Sequence, residues 1–354
     1  MAKKRGLVLE GGGIKGSYQI GAFYAFRDCH IKFDGFVGTS IGSFNAAMLA
    51  SGKEDELLKF WSHVNPGELL EFDDDFVASF NEKKEVSKTI KGFVKTAASI
   101  VKNLGIHNEK LLDQVSKVLD EDALRNSNKD FGLVTVRLPK MEPMYIYKNM
   151  IPKGKLVEHI LASCYLPVFR EKRIIDGHYY VDGGFHDISP SNMLADLGYD
   201  EIYVIAIKGI GINRHHKFNG IKMVEISPSR PNGAVLELNR AIIKDNITMG
   251  YYDTLRLLKN LDGYKYCFRR RKDSFYDYLV RNIDKRELKR VKNFFNVKSN
   301  KEAVIKALEY VCSKENVSYY DVYRPYKMIR KFRKNNNKHF VYKFISKIRF
   351  LWNF

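Results

Sequence analysis

The sequence predicts an α/β protein: a mostly parallel central sheet flanked by helices in three layers (α/β/α), with a helical, basic C-terminal extension. Three observations carry that expectation. Residues 7–9, 31–37 and 202–207 are short apolar runs of the kind that form buried strands. The first two each run into a glycine-marked turn and then a helical stripe, which is the alternation of a parallel sheet. Beyond about residue 209 that alternation gives way to long helical patterns rich in Lys and Arg. A boundary there divides the chain into residues 1–208 and 209–354.

The elements follow in order. Residues 7–9 form a strand that the glycines from Gly11 end. Tyr18, Ala22, Phe23 and Phe26 then trace one face of a helix over 16–29. Residues 31–37 make the second strand, 41–50 a helix of small residues, and 55–64 a further helix. The stretch 66–125 reads as helical. Within 83–104, Val86, Ile90, Phe93, Val94, Ala97, Ile100, Val101 and Leu104 share one face, opposite a run of lysines. That stretch is a packed surface helix, or else a lid or a membrane-facing helix. Strands return at 131–138 and 144–147, as a hairpin, before a helix over 156–164. Short strands at 173–175 and 179–181 surround the turn signal Asp176, Gly177. Ser189 and Pro190 suit a helix start, and 223–226 adds a strand to the sheet. Helices follow over 236–261, 285–295 and 301–312, with a strand at 264–268.

Composition narrows the class. At 354 residues, 45% of them hydrophobic, the chain can bury a large core. No run approaches the roughly 18 apolar residues that a membrane span requires. Cys29, Cys164, Cys267 and Cys312 are scattered without a CxxC pair, so neither a disulfide framework nor a zinc site is indicated. A reducing, cytoplasmic setting is expected. The net charge of +19 predicts attraction to polyanions. From 325 to the end there are nine Lys/Arg and no Asp/Glu.

Two turns carry chemistry. Gly11, Gly12, Gly13, Ile14, Lys15 and Gly16 follow the first strand. A dinucleotide fingerprint would need an acidic residue about 20 positions on, where Asp34 lies, but not the serine turn that comes next. A phosphate-binding P-loop would need Lys directly after the last glycine, where Ser17 stands. The third reading is an oxyanion hole made of backbone N–H groups at a helix start. The second turn, Gly38, Thr39, Ser40, Ile41, Gly42, fits a nucleophile elbow, where glycines on both sides let a serine Oγ stand at the head of a helix. A Ser–His triad would then call for a late histidine. His186, His215, His216 and His339 follow in the chain, none of them in a context that marks a base.

Together with Asp182, Gly183 and Gly184, these turns resemble, in order and spacing, the three motifs of patatin-like phospholipases, over about residues 6–208. Residues 226–231 weakly match the helical extension of some bacterial members. The resemblance implies a Ser–Asp dyad, with Ser40 the nucleophile and Asp182 the base. It assigns the oxyanion hole to the amides of Gly11, Gly12 and Gly13, with Lys15, Gly16, Gly38, Gly42, Gly183 and Gly184 supporting the motifs. Lys15 stands where many members carry Arg and lacks its planar fork. No metal and no cofactor are implied.

The expected substrate is a phospholipid or related acyl ester, met at an anionic membrane surface by a peripheral cytoplasmic protein. Rival readings are an esterase acting on soluble or neutral-lipid esters, and a catalytically silent membrane- or nucleic-acid-binding protein that keeps the fold. Nucleic acid is the less expected partner, since Arg269, Arg270, Arg271 and Lys272 read as an exposed cluster. The sequence sets no oligomeric state. Phe340, Val341, Phe344, Ile345, Ile348, Leu351 and Trp352 trace one helical face with Lys343, Lys347 and Arg349 largely off it. That face suits either a membrane interface or docking on the core.

Overall fold

A computed structural model describes residues 3–64, 109–166, 174–214, 218–235, 239–335 and 337–349. The stretch 83–104, read as a packed helix, a lid or a membrane-facing helix, lies outside them, as do His215, His216, Leu351 and Trp352. By packing, residues 1–251 form one compact unit and 252–354 a second.

The first unit is built on a seven-stranded sheet. In chain order the strands are β1 (Arg5–Leu9), β2 (Gly35–Thr39), β3 (Asp130–Arg137), β4 (Glu142–Tyr147), β5 (Tyr180–Asp182), β6 (Glu201–Ile205) and β7 (Lys222–Ile226). Their order in the sheet is β4-β3-β2-β1-β6-β7, with β5 paired to β3 off that path. The strands β3, β2, β1, β6 and β7 run parallel, and β4 and β5 antiparallel to β3. The sheet therefore extends past residue 209, because β7 pairs with β6 from Lys222 to Ile226.

Side chains alternate across a strand, and both faces of this sheet are covered. Val8, Val37, Val134, Ile202 and Val204 point to one face and pack with Met193 and Leu194 of the helix Ser191–Asp196. Tyr203 points to the other, where Phe26 of helix α1 (Ser17–Asp28) meets Tyr203 and Phe33 edge-on at centroid distances of 5.1 and 4.9 Å. Such pairs add to the stabilisation from burial. The three layers are those expected from the alternation of apolar runs and helical stripes.

The register of β3 has a further consequence. Its residues 132–134 pair with β4 and also with β2, and its residues 135–137 pair with β4 and also with β5. Since β4 takes one edge, β2 and β5 share the other, end to end. Thr39, the last residue of β2, faces Val134, and Asp182, the last of β5, faces Thr135. Neighbouring positions along a strand are about 3.4 Å apart. One strand thus sets the separation between the serine turn and Asp182. Upstream of β5, Asp176 and Gly177 both have positive φ (48° and 74°) and close a tight turn bridged by Ile175 and His178.

The second unit has its own core. Helices Asp273–Val280, Lys285–Phe295, Asn300–Lys314, Pro325–Phe332 and Phe340–Lys347 gather around Tyr266, Phe268, Tyr276, Leu308, Val311 and Phe332. The expected strand at 264–268 is reduced to Cys267–Phe268, paired with Val322–Tyr323. The helix Pro325–Phe332 carries no separate expectation from the sequence. Of the face traced from Phe340 onward, Val341, Phe344, Ile345 and Ile348 are fully buried in this core. Over residues 341–348, docking on the core takes that face. Charge is divided unevenly: residues 252–354 hold 27 Lys/Arg against 10 Asp/Glu, a net +17, which leaves +2 for residues 1–251. Among the described residues no helix is long and apolar enough to cross a membrane.

Candidate active site

Ser40 stands between β2 and helix α2 (Ile41–Ala50), with φ 55° and ψ −134°. Positive φ is costly for a residue with a Cβ and persists only where the surroundings impose it. Here they do. The Ser40 N–H donates to Ser163 Oγ at 2.9 Å, and Ser163 Oγ donates in turn to Val134 O of β3 at 2.7 Å. Ser40 O accepts from the Ser43 N–H (2.8 Å) and the Ser43 hydroxyl (2.6 Å). Thr39 Oγ1 donates to Asp187 O at 2.8 Å. Gly38 and Gly42 let the turn close. A Cβ on Gly38 would lie 2.3 Å from Gly42 O, and one on Gly42 would lie 2.0 Å from Leu9 O.

Asp182 is brought to the same point by β5. Its N–H donates to Tyr165 O at 2.8 Å, and Thr135 Oγ1 ties the neighbouring Val181 O and Ala162 O together at 3.2 and 2.7 Å. The carboxylate then has two partners: Ser40 Oγ donates to Oδ2 at 2.5 Å, and the Gly184 N–H donates to Oδ1 at 2.8 Å. Gly183 packs under β3, where a Cβ would lie 2.1 Å from Val134 O. Two opposed influences act on this carboxyl. Burial disfavours the charge and dominates; the hydrogen bonds from Ser40 and Gly184 favour it. The result is a carboxyl pushed up to about 6.

The glycine turn forms the opposite wall. Gly11, Gly12 and Gly13 line a cavity together with Ser40, Asp182 and Gly184. Gly13 has φ 59°, and a Cβ there would lie 2.1 Å from Val235 O. The Gly11 N–H donates to Ile188 O at 3.1 Å and the Ile14 N–H to Val235 O at 3.0 Å. Gly11 is thus committed within the fold, which narrows the candidate oxyanion donors to Gly12 and Gly13. Gly16 packs on Ile41 and Trp61. Lys15 is not among the residues that line the cavity: its Nζ donates to Lys208 O at 2.8 Å, and the Lys208 N–H donates to Glu10 at 3.2 Å. Burial pushes the Glu10 carboxyl up to about 7. That cation-to-carbonyl bond does not call on the planar fork of Arg.

The rest of the cavity is apolar: Leu166, Phe185, Ile188, Ile210 and Val235. Ile210 and Val235 come from beyond residue 209. Cys164 sits beside Ser40 and Ser43, and burial pushes its thiol well above the usual range, so it stays protonated and is no rival nucleophile. His186 follows closely on Asp182, but its Nδ1 lies 3.2 Å from Arg214 Nη2 and it has no bond to the Ser40–Asp182 pair. His339 lies in the second unit. Sequence reasoning missed Ser163, Thr135 and Glu10. Nothing in the local pattern marks the first two, and Glu10 reads only as the residue that ends an apolar run.

A patatin-like phospholipase family model matches residues 7–194. No curated protein sequence matches the chain. Three solved structures are similar in fold. VipD from Legionella pneumophila is 16% identical, with 94% of this chain and 80% of that chain covered at a TM-score of 0.43. The type III effector ExoU is 13% identical, with coverage of 98% and 71% at a TM-score of 0.37. Full-length ExoU from Pseudomonas aeruginosa, in complex with SpcU, is 13% identical, with coverage of 98% and 70% at 0.36.

Three outcomes follow from this geometry. A base must be ionised, so with Asp182 as the candidate base kcat/KM for an ester should rise with pH through about 6 and level off above it. The same raised pKa makes ionised Asp182 a burden on the fold: its favourable contribution is present while it is protonated and is lost as pH rises from 3.8 through about 6. Asp182→Asn should therefore abolish turnover yet raise stability by roughly 2–3 kcal/mol at pH 8, with the gain vanishing below pH about 4 in thermal melts. Ser163→Ala leaves the Ser40 N–H buried and unpaired. It should cost about 1–3 kcal/mol of stability and lower kcat more than it raises KM, measured by steady-state kinetics.

Proposed function

We propose a mechanism and a substrate class from one premise: the chain belongs to the patatin-like phospholipase family and is a carboxylic ester hydrolase. The proposed chemistry is that of a Ser–Asp dyad acting on phospholipid acyl esters. The observation that carries it is the hydrogen bond from Ser40 Oγ to Asp182 Oδ2 at 2.5 Å, inside the cavity that Gly12 and Gly13 line.

A serine hydroxyl is a weak nucleophile until a base takes its proton. Ordinary aspartate is a poor base near neutral pH. A carboxyl raised to about 6 is closer to the working range, and burial provides that rise. Ser40 Oγ attacks the ester carbonyl carbon as its proton passes to Asp182 Oδ2. The carbonyl oxygen becomes an oxyanion held by the N–H groups of Gly12 and Gly13. Each such donor is worth about 10²–10³ in rate. Asp182 then protonates the departing alcohol oxygen, leaving an acyl-Ser40. Water attacks that acyl group and gives its proton to Asp182; the acyl–Oγ bond then breaks, Asp182 returns the proton to Ser40 Oγ, and the fatty acid leaves. The apolar wall of Leu166, Phe185, Ile188, Ile210 and Val235 suits the acyl chain.

The phospholipid assignment rests on that apolar wall and on charge. A net +19 favours a surface bearing anionic lipid, as at the cytoplasmic face of a membrane, where the protein acts peripherally. Fatty acid release from vesicles of phosphatidylcholine and phosphatidylserine, set beside hydrolysis of a soluble short-chain ester, tests the reading. The expected result is release that is much faster from vesicles than from the soluble ester, and that Ser40→Ala and Asp182→Asn each eliminate. Turnover retained in both variants would overturn the dyad. Turnover on soluble esters alone would overturn the substrate class, and no turnover on any ester would leave a silent binding protein.

A further inference from the structure

We propose that the protein meets anionic membrane through the aromatic and basic surface at the C-terminal end of the helix Lys285–Phe295, and not through the apolar stripe of its C-terminal segment. The inference rests on the membrane reading above and says which part of the chain does the binding.

Among the described residues that stripe is already used. Val341, Phe344, Ile345 and Ile348 are fully buried among the helices of residues 252–354. What remains outside is a different face. Phe294 is 52% exposed, a large apolar side chain left in water one turn from the buried Val291. It stands edge-on to Phe340 at 5.1 Å and to Phe295 at 4.9 Å, and within 6.1 Å of both Tyr310 and His339. Tyr310 and His339 stack on each other at 5.1 Å. These rings draw on three helices and form one patch.

Cations surround it. The Arg290 guanidinium lies 4.3 Å from the Phe340 ring centre, and Lys314 lies 5.9 Å from that of Tyr310. Arg286 and Arg290 precede Phe294 by eight and four residues, which places them along the same side of the helix, and both are exposed. Lys343, three residues after Phe340 on its helix, is exposed too. The Phe294 ring, held by its partly buried neighbours, loses little entropy on entering the headgroup layer. Guanidinium and ammonium groups beside the patch reach the phosphates while their stems cover apolar surface.

Charge complementarity selects the occupant. Of the net +19, residues 252–354 carry +17. An anionic bilayer attracts each nearby basic residue, and the attraction falls off within a Debye length. A purely electrostatic polyanion such as duplex DNA would need no exposed phenylalanine. A bilayer uses both the rings and the charges.

The test uses the full chain carrying Ser40→Ala, so that the vesicles stay intact. Sedimentation with phosphatidylcholine vesicles containing one quarter phosphatidylserine should show binding that weakens with salt and falls to little on pure phosphatidylcholine. Phe294→Ser and, separately, Arg290→Glu should each weaken binding roughly tenfold. In the background that keeps Ser40, the same two substitutions should leave soluble-ester hydrolysis unchanged, which also reports an intact fold. Undiminished vesicle binding by both variants would overturn the proposal. So would equal binding to pure phosphatidylcholine, or tight binding to duplex DNA with none to vesicles. Failure of the enzyme reading shows differently: no ester hydrolysis with Ser40 present, while patch-dependent binding persists.

Discussion

The site depends on the edge of one strand. Because β4 occupies one side of β3, strands β2 and β5 must meet end to end on the other, with Thr39 opposite Val134 and Asp182 opposite Thr135. Residues more than 140 positions apart in the chain are thereby held at a spacing set by the rise of a strand. The side chains that lock this junction are small and buried. Ser163 links the Ser40 N–H to Val134 O, and Thr135 links Val181 O to Ala162 O. A site built from strand ends is placed more accurately than one carried by loops. The 2.5 Å contact between Ser40 Oγ and Asp182 Oδ2 is the outcome.

The same burial that fixes the geometry would also tune the base of the proposed dyad. An exposed aspartate would be a base some three units too weak for neutral pH. Desolvation moves Asp182 up to about 6 against the pull of two hydrogen bonds. The fold bears that strain, as it bears the positive φ of Ser40. Behind the glycine turn, Glu10 and Lys15 both bond to Lys208, through its N–H and its carbonyl. Those bonds hold the segment that crosses Gly11 and Gly12, so the backbone behind the candidate oxyanion donors is braced from the side away from the substrate.

Much of this was legible in the sequence, for reasons that are local. Gly11 to Gly16 and Gly38 to Gly42 are turns whose conformations demand glycine, and demands of that kind leave a fixed spacing. The apolar runs of β1, β2 and β6 show buried strands directly. What was not legible depends on pairing between distant segments. β5 is three residues long and owes its place to β3, so the strands read around Asp176 stop short of the candidate base, Asp182. Ser163 acts through the backbone of Ser40, and a serine at the end of an apolar helix gives no sign of that. The face beginning at Phe340 has a periodicity that suits a membrane and a core alike; only the partners of Val341 and Phe344 decide between them. Ile210 and Val235 reach the cavity from beyond the point where the sequence changes character.

The central claim is that Ser40 becomes acylated because Asp182 takes its proton. Intact-mass spectrometry of the protein quenched during turnover of a slowly hydrolysed ester, with the adduct mapped by peptide, tests it most directly. The account predicts one acyl group on the peptide containing Ser40, formed at least a hundredfold more slowly in Asp182→Asn. An adduct on a histidine or on Cys164, or an acyl-Ser40 that forms at the wild-type rate without Asp182, would contradict it.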